Sequence, residues 1–458
     1  MAEINTLSRR TFIAGAAIGS SLIFPATAKA ETLWADLRGS LDATTLGVRP
    51  GALDNQSVAL QNAIDRAAAD GQALFLPAGD YLVSNIDLPS GLTIIGVPGR
   101  TRIRYAGDGH LLFATNVSNL HLEGLVLDGN NRALADYAPG LLHVSSGSSI
   151  TIEGCSVLGS RKHGVVFDRV AGHFDRCTIS GARGAAFLSN EAEGLAIRDN
   201  VIADCGDNGI LVHRWGEGRD ASIITGNRIE RIRARSGGTG SFGNAINLFR
   251  ADDVTISGNT IHDCDFSAVR CNAASNAIIT GNQCHLSGEV AIFVEFSSQG
   301  AIVANNLVDN AATGISITNF NDGGRLAVVQ GNTVRNLTGQ SRLQTDEPAY
   351  GIGISVEADT SVVGNVIEEA ALAGVNAGWG PYLRNVIISQ NIIRRSEMGV
   401  SVSVVDGVES TVISDNIIDD TPGGAIIGMR WLERATDDLV SGGSVPAALV
   451  IEGNRALS

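Results

Sequence analysis

The segment Ser257–Phe296, SGNTIHDCDFSAVRCNAASNAIITGNQCHLSGEVAIFVEF, contains two copies of one short unit. Each copy has a glycine-asparagine pair, with the asparagines at Asn259 and Asn282, and a short apolar strand that begins with a small residue, at Ala268 and Ala291. Strands of this length cannot enclose a core alone, but they can when one coil stacks on the next. The segment therefore predicts a solenoid.

The asparagine recurs along most of the chain at gaps of 23 to 38 residues. The column consists of Asn200, Asn227, Asn259, Asn282, Asn306, Asn332, Asn365, Asn391, Asn416 and Asn454, with degenerate copies at Cys155 and Cys177. This pattern predicts an all-β fold, a right-handed parallel β-helix of roughly 13 coils about 4.8 Å apart. We expect each asparagine at a tight turn, in the left-handed φ region, with its amide stacked in a ladder.

An amphipathic helix is predicted ahead of the first coils. Asp54 is the expected N-cap, Val58, Leu60, Ile64 and Ala67 give one apolar face, and Gly71 ends the helix. Such a helix would cap the open edge of the stack. We assign residues 31–45 to a linker, 46–105 to the cap and first coils, and 106–458 to the β-helix repeats.

The N-terminus predicts export. Arg9 and Arg10 precede an apolar stretch that ends in a small-x-small cleavage motif at residues 28–30, so residues 1–30 read as a signal peptide. The run from Ser8 to Phe12 resembles the twin-arginine translocation signal, which implies the translocation machinery as a partner and a periplasmic or secreted location. The net charge of −15 disfavours nucleic acid as a partner, and no later stretch is apolar enough to span a membrane.

Residues 46–130, with LDGN at Leu127–Asn130, resemble the N-terminal motif of the pectate-lyase-like superfamily of β-helix proteins. Signal and repeats together resemble the twin-arginine-translocated repeat proteins, a family with no assigned reaction. Relatives by fold include polysaccharide lyases, polygalacturonase-type hydrolases and alginate epimerases. The chain lacks the Asp-Pro-His motif of the epimerases, and Lys162–Gly164 lacks the first glycine of the polygalacturonase motif.

The six cysteines are mostly predicted to be core residues. Cys271 and Cys284 fall in inward columns, and Cys205 and Cys264 lie two coils apart, too far to bond. Cys155 and Cys177 lie on adjacent coils, so a disulfide between them stays open. The sequence has no zinc or calcium motif, predicts no metal, and leaves any cofactor open.

The strand that starts with the small residue carries the candidate site. Its first and third following residues point inward, and its second and fourth point outward and vary freely. Insertions flank this strand row on both sides, as between Asn227 and Ala245, so the row is the expected floor of a groove. The candidate catalytic residues are His213, Arg270, Glu295 and Glu357, and the candidate substrate-binding residues are Asn247, Phe249, Asn272, Phe293, Asn319, Asp322, Asn376 and Trp379.

Amides, aromatic rings and a local concentration of arginines favour a polysaccharide, and the arginines favour an anionic one. In β-elimination or C5 epimerisation of a uronate, Arg270 and Asn272 would neutralise the carboxylate and His213 would be the base. In hydrolysis, Glu295 would act with Glu357 or Asp322. A uronate lyase or epimerase is the first expectation; a polygalacturonase-type hydrolase and a non-catalytic polysaccharide-binding or envelope protein are the alternatives.

Overall fold

The computed structural model describes residues 39–343 and 349–457. The predicted signal peptide, with Arg9 and Arg10, lies outside these residues. The strands form three rows of parallel pairs, and each coil contributes to every row through most of the stack. We number the rows by their place relative to the asparagine column: row 1 precedes the asparagine, row 2 follows it, and row 3 starts with the small residue.

Row 1 consists of β1 (Leu41–Asp42), β2 (Leu74–Phe75), β5 (Thr93–Ile95), the C-terminal parts of β7 (Leu112–Glu123), β9 (Gly140–Glu153) and β11 (His163–Asp175), then β14 (Ala196–Arg198), β17 (Ile223–Thr225), β20 (Thr255–Ser257), β23 (Ile278–Thr280), β25 (Ile302–Ala304), β27 (Ala327–Gln330), β30 (Thr360–Val363), β33 (Val386–Ser389), β36 (Thr411–Ser414) and β40 (Leu449–Glu452). Row 2 consists of β3 (Gly79–Val83), β6 (Thr101–Tyr105), β8 (Leu125–Asp128), β10 (Ser156–Leu158), β12 (Thr178–Ser180), β15 (Val201–Ala203), β18 (Arg228–Ile232), β21 (Thr260–Cys264), the N-terminal parts of β24 (Gln283–Glu295) and β26 (Leu307–Ile317), then β28 (Thr333–Leu337), β31 (Val366–Ala370), β34 (Ile392–Arg394), β37 (Ile417–Asp419) and β41 (Arg455–Leu457).

Row 3 consists of β4 (Ile86–Asp87), the N-terminal parts of β7, β9 and β11, then β13 (Phe187–Asn190), β16 (Asn208–Arg219), β19 (Asn244–Asp252), β22 (Val269–Asn272), the C-terminal parts of β24 and β26, β29 (Ile352–Val356), β32 (Ala373–Ala377), β35 (Met398–Ser403) and β38 (Ile426–Arg430). The antiparallel strand β39 (Glu433–Asp438) pairs with β38 at the C-terminal end of this row. The all-β parallel stack is confirmed, with slightly more coils than predicted.

The interior is a continuous column of apolar side chains supplied by every coil. Leu248, Cys271 and Val294 lie in register on adjacent strands of row 3, and each is at most 1 % exposed. Ile256 and Ile279 also lie in register on adjacent strands, in row 1, and both are fully buried. Packing therefore restricts the inward positions to apolar residues of similar volume.

The asparagine column forms a hydrogen-bonded ladder. The Asn259 side-chain oxygen accepts from the backbone N–H of Asn227 and from its side-chain amide, both at 2.9 Å. The Asn259 amide in turn donates to the side-chain oxygen of Asn282 at 2.9 Å and to the Ile224 carbonyl at 3.1 Å. The same contacts repeat down to Asn454. The predicted ladder is present, and it satisfies polar groups that would otherwise be buried without partners.

The predicted left-handed φ of these asparagines is wrong. The residue before each asparagine takes that conformation instead, as Gly258 does at 62°, Gly281 at 66° and Asp199 at 56°. This shift lets the preceding residue make the turn, so that the asparagine side chain points inward to its neighbours. Glycine, aspartate and asparagine tolerate the turn position best.

Helix α1 (Ser57–Asp70) forms where predicted, with Gly71 ending it at φ 64°. Its N-cap is Gln56 and not Asp54, because the Asp54 carboxylate instead accepts from Arg49 at 2.5 Å. Val58 is 76 % exposed, whereas Leu60 and Ile64 are buried. The buried face therefore starts at Leu60, two residues later than the sequence indicated.

The stack begins before the predicted linker ends. In β1, Leu41 pairs with Leu74 of β2, and a short 3-10 helix follows at Ala43–Leu46. A second 3-10 helix lies at Phe320–Asp322, between row 3 and row 1. No helix among the described residues is long and apolar enough to cross a membrane.

The six cysteines all lie in the described part of the chain, where they are buried and unbonded. Cys155 and Cys177 occupy the asparagine column: the Cys177 sulfur accepts the Cys155 backbone N–H at 3.4 Å, and Asn200 accepts that of Cys177 at 2.8 Å. The two thiols therefore extend the ladder toward the N-terminus. Burial raises the pKa of Cys271 and that of Cys284 to about 12, so both behave as small apolar residues.

We predict that Asn259→Ala lowers the free energy of unfolding by about 2–4 kcal/mol, because it leaves buried partners on two adjacent coils unsatisfied. Thr260→Ala, at the neighbouring exposed position, should stay within about 0.5 kcal/mol of the native chain. Urea unfolding followed by circular dichroism measures both. Equal stabilities of the two variants would show that the ladder does not hold the coils together.

Candidate functional site

The outward face of row 3 is the floor of a cleft of about 760 Å3. One floor column consists of Leu211, Asn247, Arg270, Phe293, Ser316, Ser355, Asn376 and Ser401, and the register of the strands pairs each with the next. A second column runs through His213, Phe249, Asn272 and Glu295. The inserted segment 239–242 and residues 319 and 321 line the walls.

The register corrects one alignment made from the sequence. Counting the repeat in GIGIS, residues 351–355, from its first glycine, Gly351, predicts that Gly353 lies beside Ser316 and that Glu357 lies beyond the outer column. The structure pairs Ser316 with Ser355. Gly353 is the true small residue, because a Cβ there would lie 2.3 Å from the Gly374 carbonyl oxygen of the next coil. Glu357 therefore belongs to the same column as Glu295.

The structure brings ten of the twelve predicted site residues to this cleft. They are His213, Asn247, Phe249, Arg270, Asn272, Glu295, Asn319, Glu357, Asn376 and Trp379. Phe293 is only 2 % exposed and lies beneath the Arg270 guanidinium, whose central carbon is 5.0 Å from the ring centre. Asp322 is exposed in the 3-10 helix outside the cleft. Neither side chain therefore lines the cleft.

Arg270 is held by two glutamates. Its Nε and Nη2 donate to the two carboxylate oxygens of Glu295 at 2.6 and 2.9 Å, and its Nη1 donates to Glu289 at 3.2 Å. The glutamates are 3 % and 1 % exposed. Asn272 adds a hydrogen bond to Glu295 at 3.0 Å. The two-pronged contact fixes the orientation of the Glu295 carboxylate.

Gly240 makes room for this cluster. A Cβ at Gly240 would lie 1.7 Å from Nη1 of Arg270, and the residue adopts φ 139°, which favours glycine. The guanidinium is therefore sandwiched between the backbone of the inserted segment and the Phe293 ring. Arg270 is 9 % exposed, so little of it faces a ligand.

Glu357 lies two coils from Glu295 along the same column. Val294 pairs with Ile317 on the next coil, and Ile317 pairs with Val356 on the coil after that. Glu295 follows Val294 and Glu357 follows Val356, so the two glutamates are two coils apart. Two coils amount to about 9.6 Å between backbones. The Glu357 carboxylate accepts the Phe320 backbone N–H at 2.6 Å and is 6 % exposed.

His213 marks the N-terminal end of the cleft. Its ring stacks on Phe249 with centroids 5.1 Å apart, and Trp215 approaches its edge at 4.7 Å. Burial lowers the pKa of His213, and Arg250 lowers it further while Glu191 opposes this. Burial thus favours the neutral form of the His213 imidazole.

Three arginines of the local concentration noted in the sequence form ion pairs outside the cleft. Arg214 pairs with Glu191 at 2.8 Å, Arg231 with Asp204 at 2.7 Å, and Arg233 with Asp263 at 2.5 Å. Among the described arginines, only Arg270 lines the cleft, beside the carboxylates of Glu289, Glu295 and Glu357. The cleft is thus acidic, in contrast to the arginine-rich groove expected from the sequence.

Several lining residues were missed from the sequence. Glu289 sits at an irregularity between rows 2 and 3 of β24, where no repeat column is defined. Thr313 lines the cleft with a hydroxyl that has no hydrogen-bond partner among the described residues. Trp431 belongs to the β38–β39 turn, which has no counterpart in the repeat. The one sequence signal for Trp431 is that extra residues follow a strand of row 3 at this point.

Within the described ranges, no group of three histidine, cysteine, aspartate or glutamate side chains is placed to hold a metal ion.

We predict that Arg270→Ala destabilises the fold by about 3–5 kcal/mol, because it removes the cation from two buried carboxylates. Arg270→Lys should lower the free energy of unfolding by less, because lysine keeps the positive charge although it cannot make the two-pronged contact. Arg219→Ala, whose side chain is 76 % exposed and 3.7 Å from Asp253, should leave stability unchanged. Urea unfolding at pH 7 compares the three. An Arg270→Ala variant as stable as Arg219→Ala would contradict the assigned role.

The lowered pKa of His213 predicts a pH effect. A histidine whose folded pKa lies below its unfolded value of about 6.5 takes up its proton more readily when unfolded, so stability falls as pH drops below 6.5. His213→Gln removes this contribution, and its unfolding free energy should decline less between pH 7.5 and 5. NMR titration of the His213 ring should give a midpoint below 6.5. A midpoint at or above that value would contradict the burial argument.

Comparison with known families gives one match. The pattern described as "Right handed beta helix region" matches residues 139–237 and 215–384, which together cover more than half of the chain. A search of curated proteins gives no match.

Solved structures of other proteins align with this chain. The N-terminal fragment of gene product 12 of bacteriophage phi29 superposes with a TM-score of 0.58 at 15 % identity, over 94 % of this chain and 73 % of that one. An alpha-1,3-glucanase catalytic unit from Streptomyces thermodiastaticus gives 0.44 at 14 % identity, over 92 % and 70 %. A mannuronan C-5 epimerase A-module from Azotobacter vinelandii gives 0.41 at 15 % identity, over 92 % and 100 %. At these identities the likeness concerns the fold alone. On the family match, the chain belongs to the right-handed β-helix family.

Proposed function

We propose that this protein is a glycoside hydrolase that acts on neutral polysaccharide in the row 3 cleft. The observation that carries the proposal is the pairing of Arg270 with Glu289 and Glu295. It occupies the guanidinium expected to bind an anionic sugar, and it fixes a carboxylate on the cleft floor.

The charge of the cleft favours a neutral ligand. Elimination or epimerisation of a uronate needs a cation or amide to neutralise the sugar carboxylate. Arg270 is nine-tenths buried and already neutralises Glu295. A uronate would face three protein carboxylates and one arginine that is already paired with two of them, and like charges in a confined cleft repel. Hydrolysis, the alternative from the sequence, needs the carboxylates that are present.

The spacing of Glu295 and Glu357 fits one class of hydrolase. Their backbones lie about 9.6 Å apart by coil spacing, which is closer to the carboxyl distance of inverting glycosidases, about 6.5–9.5 Å, than to the roughly 5.5 Å of retaining ones. An inverting enzyme needs this room because a water molecule enters between one carboxylate and the sugar.

In the proposed reaction, Glu295 is the base and Glu357 the acid. Three hydrogen bonds occupy three of about four acceptor sites on the Glu295 carboxylate. The remaining site on Oε2 accepts from none of the described residues, so a water can occupy it. Glu295 takes a proton from that water as its oxygen bonds to the anomeric carbon. The glycosidic C–O bond breaks, and Glu357 gives its proton to the leaving oxygen.

The remaining lining suits a saccharide. Asn247, Asn272 and Asn376 present amides that pair with hydroxyls, and the Thr313 hydroxyl is available for the same purpose. Phe249 adds aromatic surface at the N-terminal end of the cleft, where a sugar ring can contact it. The cleft runs along the helix axis, so a linear chain would cross successive coils.

Export remains part of the proposal. The twin-arginine-like run around Arg9 and Arg10 supports membership of the twin-arginine-translocated repeat proteins and a periplasmic or secreted location. Polysaccharide is abundant in those compartments, which is consistent with the proposed substrate.

The proposal predicts that Glu295→Gln and Glu357→Gln each lower turnover of a neutral glucan by about 10²–10⁴-fold, because each removes a proton-transfer group. Asp322→Asn, an exposed carboxylate outside the cleft, should keep native turnover. Reducing-end release from a panel of neutral and uronate polymers measures all four proteins. Turnover of a uronate polymer with no activity on neutral glycans would contradict the proposal.

A non-catalytic glycan-binding protein is the second candidate. It is favoured by the same hydrogen bonds, since a carboxylate held by Arg270 and Asn272 is a weaker base than a free one. Binding of a neutral glycan without turnover, unchanged by Glu357→Gln, would favour this candidate over hydrolysis.

A further inference from the structure

The cleft has two chemically different halves. The half between His213 and Glu357 contains the amides, the carboxylates and Arg270. Beyond Glu357, no charged side chain of the described residues lines it. Leu372, Trp379, Met398, Met429, Trp431 and Leu432 line this end, and we call them the apolar compartment.

The apolar compartment lies outside the coiled core. Met398 packs with Ala373 and Ile427 in a cluster separate from the main interior, and Leu372 and Met429 pack against it. Two of them, Ile427 and Met429, occupy outward positions that are polar in the preceding coil, where they are paired with Ser401 and Ser403. Packing of the interior does not demand apolar residues here, so their presence needs another reason.

Trp431 is positioned by specific local structure. Its ring lies 5.1 Å from that of Trp379 at 74°, and it packs on the backbone of Gly380, where a Cβ would lie 2.3 Å from the indole. Trp431 itself adopts φ 56°, a conformation that bulky residues seldom take. It is nevertheless 49 % exposed, and neighbouring Leu432 is 54 % exposed. Two large apolar side chains therefore stand half open at the mouth of a cleft.

A bare sugar does not match this lining. Buried hydroxyls need hydrogen-bond partners, and this half offers mainly Asn376, Ser401 and Tyr382. Methionine and leucine side chains instead match an alkyl or acyl chain, and methionine adapts to irregular apolar shapes. The apolar compartment is continuous with the polar half, and Met398 is two coils, about 9.6 Å, from the coil of Glu357.

We infer that the ligand is a saccharide that carries an apolar alkyl or acyl substituent, with the sugar in the polar half and the substituent in the apolar compartment. This inference rests on the proposed function for the sugar, and on the apolar compartment alone for the substituent.

The test uses the full chain and two probes that differ only in the substituent, methyl β-D-glucopyranoside and n-octyl β-D-glucopyranoside, the latter below its micelle concentration. Isothermal titration calorimetry should give at least about tenfold tighter binding of the octyl glycoside, because several methylenes leave water. Trp431→Asn and Leu432→Ser should each remove most of that preference. Asparagine tolerates the left-handed φ of position 431, so the fold is preserved, which a thermal melt verifies.

Tyr137→Asn is the matched control. Tyr137 is an exposed aromatic residue in the N-terminal coils, outside the cleft, and its variant should keep the preference. Equal binding of the two glycosides by the native chain would overturn the inference. So would a preference for the octyl probe that survives both Trp431→Asn and Leu432→Ser.

A third probe, n-octanol, separates this inference from the proposed function. Binding of octanol and of the octyl glycoside that depends on Trp431, with no hydrolysis of any glycan, would support the apolar compartment and remove the proposed function. Hydrolysis of neutral glycan with no preference for the octyl probe would support the proposed function and overturn the inference about the substituent. If the native chain formed a dimer that Trp431→Asn abolished, and bound no octyl probe, these residues would cover a self-interface and the inference would fall.

Discussion

Hydrogen bonding between successive coils is the constraint on which the rest of this structure depends. Asn259 and its equivalents bind the backbone and side chains of both neighbouring coils, so each coil is aligned with the next. A slip of one residue in a strand would turn its apolar side chains outward. The ladder therefore protects the register, and the register decides which residues face the cleft.

The same constraint explains why the cleft is acidic. Row 3 places Asn272 beside Glu295 and Arg270 beside Phe293, on a floor that the inserted segment at Gly240 partly covers. Ions buried at this depth need partners, and Arg270 with Glu289 and Glu295 provides them for one another. The arginine thus orients a carboxylate, and the chemistry proposed for the cleft follows from that orientation.

The repeat predicted most of the fold because packing leaves a period in the sequence. Cys271 and Val294 could be assigned to the interior from their spacing alone, and so could the outward position of Arg270. The left-handed turn could not be placed, because glycine and asparagine both tolerate it and they are adjacent. The register of GIGIS was ambiguous for a similar reason: Gly351 and Gly353 are equally small, and only the contact with the next coil selects Gly353. Glu289 and Trp431 lie on irregular segments, where periodicity carries no information.

The stereochemistry of the products tests the central claim most directly, namely that Glu295 and Glu357, two coils apart, work as a pair on a neutral glycan. Proton NMR of the sugar released in the first turnovers reports the anomeric configuration before mutarotation. Two carboxylates at this spacing predict inversion. Retention of configuration, or an unsaturated sugar end from elimination, would contradict the account.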